Sequence, residues 1–181
     1  MKTVEEQLAR YRSVHFNKKN IATHFIGIPL IIWAVTILMS VELIQLSFQG
    51  MNISISYAEV CFSLLLIYYI KLHWRLALGM LIFMLTNLYL ANLLINTMDN
   101  THLFAVGVFI LGWILQFIGH YYEQAKPAFF DDLSQFAIGP LFLMAEIYFA
   151  LHWEAKLNHE VNQRAKNKRH LLEQAKQTTI T

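Results

Sequence analysis

Charge is scarce in this chain: 14% of its residues are Asp, Glu, Lys or Arg, against 56% hydrophobic residues. With a mean hydropathy of +0.42, that balance exceeds what a soluble domain of this size uses and makes a water-soluble fold the poorer reading. Cysteine is scarcer still. The single Cys61 rules out an internal disulfide, and its place in an apolar run predicts a small packing residue. A net charge of +2 is too small to indicate a nucleic-acid partner. Catalytic signatures are missing too, since no HExxH, GxSxG, Walker loop or GxGxxG occurs. No two histidines stand within five positions of each other. The HxxxH and HxxHH clusters with which integral-membrane desaturases and hydroxylases hold two irons are therefore absent, and a mononuclear site is the economical metal reading.

Long apolar runs are what the sequence does have. Those at residues 25–41, 58–72, 76–95, 103–119 and 133–151 approach or reach the roughly 17–25 residues of a transmembrane helix. The expected fold class is all-α: an integral membrane helical bundle of four to five membrane helices, the last broken or re-entrant, preceded by an amphipathic N-terminal helix. Residues 1–153 make the membrane-embedded domain and 154–181 a polar cytoplasmic tail, helical or partly disordered. In the N-terminal segment Leu8, Tyr11 and Val14 recur at helical spacing among Glu5, Glu6, Arg10 and Arg12. Asn17-Lys18-Lys19-Asn20 is expected to turn, because nine residues of unbroken helix would rotate His24 by roughly half a turn from His15.

Basic residues set the orientation. All fourteen Lys and Arg lie in the N-terminal segment, at Lys71 and Arg75, at Lys126, and in the tail, while the loops near 49–52 and 96–100 have none. Their excess belongs on the cytoplasmic side, which puts the N-terminus there. No small-residue cleavage site closely follows the first run, so the N-terminus is expected to be retained. A fifth crossing would export the basic tail. The helix-breaking pair Gly139-Pro140 instead predicts a broken, re-entrant or steeply tilted element that returns the tail to the cytoplasm. Asp132-Leu133-Ser134-Gln135 has the form of a helix N-cap with a reciprocal glutamine. Gly107 and Gly112 are expected to permit close helix contact, and Asn87 and Asn92 to bond between helices. Glu42 and Glu59 would reach water at the far surface, whereas Glu146 is deeper and would meet the site or another helix.

Five histidines, His15, His24, His73, His120 and His152, fall at membrane boundaries, all on one face in the four-crossing arrangement. His73 and His152, each followed by Trp, read as interfacial anchors. His15, His24 and His120 read as metal ligands, neutral imidazole being a common ligand for iron and zinc. Glu123 follows His120 by three residues, so the two share a helix face and could hold one ion, unless Glu123 pairs with Lys126. Asn20, four residues before His24, would orient a ligand histidine or cap the first span.

These residues stand in a pattern, His15-x4-Asn20-x3-His24-x2-Gly27-x-Pro29, then Gln116-x2-Gly119-His120-x2-Glu123-x3-Pro127-Ala128, then Gly139-Pro140-Leu141. The pattern resembles the 2-hydroxy fatty acid dioxygenase family, small membrane proteins of phytosphingosine breakdown. The resemblance implies an Fe(II)-dependent enzyme of fatty-acid α-oxidation that shortens a long-chain 2-hydroxy acid by one carbon. It implies functional roles for His15, His24 and His120, and less directly for Glu123 and Asn20. The chemistry suits these residues on its own terms. A 2-hydroxy acid can chelate iron through carboxylate and hydroxyl, and a few His and carboxylate ligands leave positions open for it and for O2. Conversion to the shorter acid, carbon dioxide and water removes four electrons, the number O2 accepts. The expected partners are therefore that acid, O2 and membrane lipid, at a site facing the cytoplasm in the inner membrane of a bacterium or the endoplasmic reticulum of a eukaryote. Two other classes remain open: a zinc-dependent lipid hydrolase built on the same cluster, and a metal-free lipid-binding or structural membrane protein.

Overall fold

Six helices and one β-hairpin make up the computed structural model, which describes residues 2–48, 51–127 and 132–180. In chain order they are α1 (Val4–Arg12), α2 (Lys18–Met39), β1 (Glu42–Phe48), β2 (Met51–Ser56), α3 (Tyr57–Thr97), α4 (Thr101–Glu123), α5 (Gln135–Ala150) and α6 (Ala155–Ile180). The chain divides into two units. One takes the described residues of Met1–Phe25 and Gln116–Thr181, the other Ile26–Leu115. Helices α2 and α4 contribute residues to both.

In the first unit, α1 starts at a capping box: the Thr3 hydroxyl accepts from the Glu6 N–H at 3.3 Å, and Glu6 accepts from the Thr3 N–H at 3.1 Å. Glu5 and Glu6 in its first turn and Arg10 and Arg12 in its last complement the helix dipole. Its apolar stripe, Val4, Leu8 and Tyr11, is buried, and α1 packs against α5 and α6. The tail is thus an ordered helix, α6, which buries Leu157, Val161 and Ala165 at four-residue spacing. Ion pairs fasten α1 further: Arg12 with Glu146 of α5, and Lys2 and Arg10 with Asp132 at 2.9 and 2.6 Å. Glu146 therefore meets a helix rather than the histidines.

Two expectations about α5 fail. Gly139-Pro140 does not break it, because Pro140 lies within the second turn of an unbroken sixteen-residue helix, where it forfeits one backbone bond. At roughly 24 Å the helix is shorter than a hydrocarbon core of about 30 Å. Nor does Gln135 close a capping box. Ser134 makes no side-chain cap, and the buried Gln135 instead donates to Gln7 Oε1 at 3.1 Å.

In the second unit the segment after α2, expected as a loop, is an antiparallel hairpin pairing Glu42 with Ser56 and Phe48 with Met51. The alternation Met51-Asn52-Ile53-Ser54-Ile55-Ser56 is the strand signal behind it. Ser56 and Glu59 then form the capping box that starts α3. At 41 residues and roughly 60 Å, α3 is about twice the bilayer's apolar thickness. It is interrupted at His73, whose backbone is extended (φ −163°, ψ 100°), so the two apolar runs it joins are separate helical segments. His73 Nδ1 accepts from the Leu76 N–H at 3.3 Å, the contact an N-cap makes.

Small residues pack this unit. Ala34, Ile37, Ala91 and Ala105 form a buried cluster flanked by Trp33, Leu94 and Phe109. A Cβ on Gly112 would lie 2.6 Å from Ile31 and 3.0 Å from the Gly27 carbonyl, whereas one on Gly107 would meet nothing. Gly112 alone has the close-contact role expected of both glycines. Asn87 donates within its own helix to Phe83 O at 2.9 Å rather than across helices; Asn92 is exposed, and so is Cys61. Pro29 lies well inside α2. By length and composition α2, α3 and α4 can cross a membrane, and only 28%, 22% and 22% of their most apolar windows are buried by protein. The remaining apolar surface needs lipid around it.

Candidate metal centre

His15 reaches the site through the turn that ends α1. Ser13 N–H donates to Ala9 O at 2.9 Å and His15 N–H to Arg12 O at 2.9 Å. This curls the chain back so that the His15 ring stacks on Tyr11 (4.1 Å, 3°). The bend lies at residues 13–17, slightly before the predicted 17–20, because α2 already starts at Lys18. Asn17 is the residue that caps it, its Oδ1 accepting from the Lys19 N–H at 2.9 Å. The bend cancels the half-turn rotation that a continuous helix would impose, and His24 meets His15.

The three imidazoles converge. Ring centroids are 4.7 Å apart for His15–His24, 5.0 Å for His15–His120 and 5.0 Å for His24–His120, with planes crossing at 77°, 70° and 80°. One ring nitrogen from each lies within 4.8 Å of the others, and no other cluster of three His, Cys, Asp or Glu ligands forms among the described residues. Relative exposures of 1%, 1% and 8% put all three rings away from water.

The tautomers follow from the partners. His15 Nδ1 is 2.6 Å from the Tyr11 carbonyl and His24 Nδ1 is 2.9 Å from the Asn20 carbonyl. A carbonyl only accepts, so each Nδ1 carries the proton and each Nε2 presents a lone pair. Those two Nε2 atoms lie 3.2 Å apart. Burial, and then the proximity of His24 and His120, holds the His15 imidazole well below its ordinary pKa, so it is neutral at pH 7. Two neutral acceptors face each other with no proton between them, and the buried Nδ1 of His120 also lacks a hydrogen-bond partner. A divalent cation would satisfy all three. The donors present, neutral imidazoles oriented through backbone carbonyls, suit iron or zinc.

Asn20 and Glu123 support this group without joining it. Asn20 offers His24 its carbonyl rather than its amide, and the amide donates to Glu123 Oε2 at 3.3 Å and Val14 O at 3.4 Å. Glu123, expected to share the ion, is absent from the grouped ligand atoms. Its Oε2 accepts from the Asn17 N–H at 2.7 Å, and its Oε1 pairs with Arg169 at 3.2 Å. Lys126 lies beyond the end of α4, so helical spacing does not bring it to Glu123. His73 and His152 stand outside the group. His152 occupies a left-handed turn (φ 59°) after α5.

Sequence reasoning missed Tyr11, Asn17 and Arg169 and quoted Gly119 without a role. A Cβ on Gly119 would press on Thr23 Oγ1 and Asn20 Oδ1, both closer than 3.0 Å, and lie 3.1 Å from His24 Nδ1. Only glycine lets α4 approach α2 at the level of His24. Beside His120 opens a cavity of ≈ 500 Å³ lined by His120, Tyr121, Tyr122, Gln124, Ala125 and Lys126.

Residues 1–151 match the family described as Mpo1-like, 2-hydroxy-palmitic acid dioxygenase. The chain is 32% identical over 173 residues to the 2-hydroxy-palmitic acid dioxygenase MPO1 of Saccharomyces cerevisiae, an alignment covering 92% of this chain and 94% of the yeast protein. No solved structure matches.

Proposed function

The chain belongs to the Mpo1-like family, and on that premise we propose that it is a membrane-embedded, Fe(II)-dependent dioxygenase of long-chain 2-hydroxy fatty acids. The reaction is R–CH(OH)–COOH + O2 → R–COOH + CO2 + H2O, in which the C1–C2 bond breaks and the four electrons lost by the acid reduce O2 to the oxygen of the products. No further reductant is needed. The observation that supports a metal best is the pair of opposed Nε2 lone pairs of His15 and His24, 3.2 Å apart and out of water.

In this reading His15, His24 and His120 hold the ion, and Glu123 and Asn20 set their positions. Bound Fe(II) would supply the one-electron redox steps, with coordination positions left for substrate and O2. The protein's own part is orientation. The carbonyls of Tyr11 and Asn20 fix two ring tautomers, and Tyr11 and Phe142, 4.8 Å apart, wall the His15 ring with aromatic surface and keep water off it. The cavity beside His120 admits the polar end of the substrate, with Lys126 in its wall as a cation for the carboxylate. The acyl chain gains about 0.8 kcal/mol per methylene removed from water. Helices with this much apolar surface open to lipid take such a substrate from the bilayer. Four crossings, by α2, the two segments of α3, and α4, agree with the distribution of basic residues.

The test is chemical. Protein purified in detergent, loaded with Fe(II) and given 2-hydroxypalmitate under air should yield pentadecanoic acid and carbon dioxide, one of each per O2 consumed. Iron-loaded protein that consumes no 2-hydroxy acid under air would remove the substrate assignment. Oxygen-independent turnover of an ester with zinc bound would replace it with a hydrolase.

A further inference from the structure

Glu123 is a carboxylate whose side chain is only 2% exposed, at the end of an apolar helix, and the cation that meets it comes from the far end of the sequence. Arg169 of α6 places NH1 3.2 Å from Glu123 Oε1 and 3.3 Å from the Ser13 carbonyl, while its Nε donates to Glu173 at 2.8 Å. Arg169 lies outside residues 1–151, which match the family.

We propose that Arg169 is a positioning residue of the metal centre: it fixes Glu123, which in turn clamps the segments bearing His15 and His24 to the end of α4 that bears His120. The inference rests on the metal reading given above. Its geometry is a chain of contacts. Arg169 holds one carboxylate oxygen, and the other accepts from the Asn17 backbone at 2.7 Å and the Asn20 amide at 3.3 Å. Asn17 follows His15 by two residues and caps α2, and it also donates its side-chain amide to the Tyr122 carbonyl at 2.9 Å. Asn20 gives its carbonyl to His24 Nδ1. His120 and Glu123 are one turn apart on α4. Every imidazole is thus one or two contacts from Glu123.

Electrostatics sets the direction of the effect. A carboxylate this buried is costly without a cation, so without Arg169 it would turn toward water and release Asn17 and Asn20. Groups that orient metal ligands change metal affinity by about 10–100-fold when removed. A tie between surface side chains would change it by nothing measurable.

The experiment uses full-length protein in detergent: wild type, Arg169→Ala, Arg169→Gln, Glu123→Gln, the pair Arg169→Gln/Glu123→Gln, and Arg164→Ala as an exposed arginine of the same helix. Cobalt(II) is titrated into each metal-free protein, the ligand-field absorption is recorded, and melting temperatures and histidine-ring NMR spectra are taken without metal. Both Arg169 variants should lose about tenfold or more in cobalt affinity and shift the absorption band, which Arg164→Ala should not do, and both should melt below that control because Glu123 is left buried without its cation. The double variant should bind no more weakly than Glu123→Gln, since Arg169 acts through that carboxylate. Wild-type affinity and spectrum in Arg169→Gln, or additive losses in the double variant, overturn the proposal. Should wild-type protein bind no cobalt, the metal reading falls, and the ring resonances decide this one: Arg169→Gln must move those of His15 and His24, and unmoved resonances overturn it.

Discussion

His15 Nε2 and His24 Nε2 face each other across 3.2 Å with their Nδ1 atoms already committed to the carbonyls of Tyr11 and Asn20. Two lone pairs so placed repel, and a shared cation would relieve that repulsion. Metal binding should therefore be stoichiometric and should depend on each ring. Four-ligand protein sites bind zinc with about 10–16 kcal/mol, so one ligand is worth roughly 3 kcal/mol, or about a hundredfold in affinity. His15→Ala, His24→Ala and His120→Ala should each weaken Fe(II) binding on that scale, read by metal analysis after dialysis against graded chelator. Full metal occupancy in His24→Ala would refute the shared site.

Gly119 offers a second test that leaves every ligand in place. Ala at this position drives a methyl into Thr23 and Asn20 and against His24, so α4 must retreat from α2. Overpacking of this kind costs about 1–3 kcal/mol. Gly119→Ala should lower both melting temperature and metal affinity. Gly107, on the same helix with nothing near its missing Cβ, is the control, and Gly107→Ala should be stabilising by up to about 1 kcal/mol through helix propensity. Equal behaviour of the two variants in metal titrations would show that the α4–α2 approach does not shape the site.

The three converging histidines were legible in the sequence as candidates because each stands at the edge of an apolar run with a polar neighbour three or four residues away, and helical spacing fixes which side chains share a face. Tertiary partners were not. Nothing local to Glu123 points to Arg169, forty-six residues on, so a carboxylate beside His120 read as a ligand. The tail read as polar because its apolar positions, Leu157, Val161 and Ala165, make a stripe too thin to stand out until α1 covers it. Pro140 looked like a break, yet its early position in α5 limits the loss to one backbone bond. The hairpin was hidden in a short polar spacer between two longer hydrophobic signals, and its strand alternation was overlooked.

Acid should loosen α1 at a definable point. Hydrogen bonds from Ser134 and Lys2 hold the Asp132 carboxyl well below the usual carboxylate range, and Arg10 adds a contact at 2.6 Å. A folded-state pKa depressed in this way contributes stability that is fully present above the unfolded value, about 3.9, and is lost as pH falls through the lower folded value. The difference in melting temperature between wild type and Asp132→Asn should thus be constant from neutral pH down to about 5 and close only below about 4. Added salt should shrink it at every pH, since these groups are partly exposed. A gap that closes near neutrality would exclude Asp132 as its source.

His73 separates capping from coordination. It interrupts α3 with an extended backbone and satisfies the Leu76 N–H through Nδ1 at 3.3 Å, so its imidazole acts as the cap of the following segment. Ser, Asn or Asp perform that function at helix starts, and truncating a cap to Ala costs about 0.5–2 kcal/mol. His73→Ala should lower the melting temperature, and His73→Asn should recover most of the loss. Neither should change iron stoichiometry or the yield of shortened acid, because His73 is not among the converging rings. A His73→Asn protein that keeps its stability but loses metal would draw His73 into the site, and the count of ligands would have to be revised.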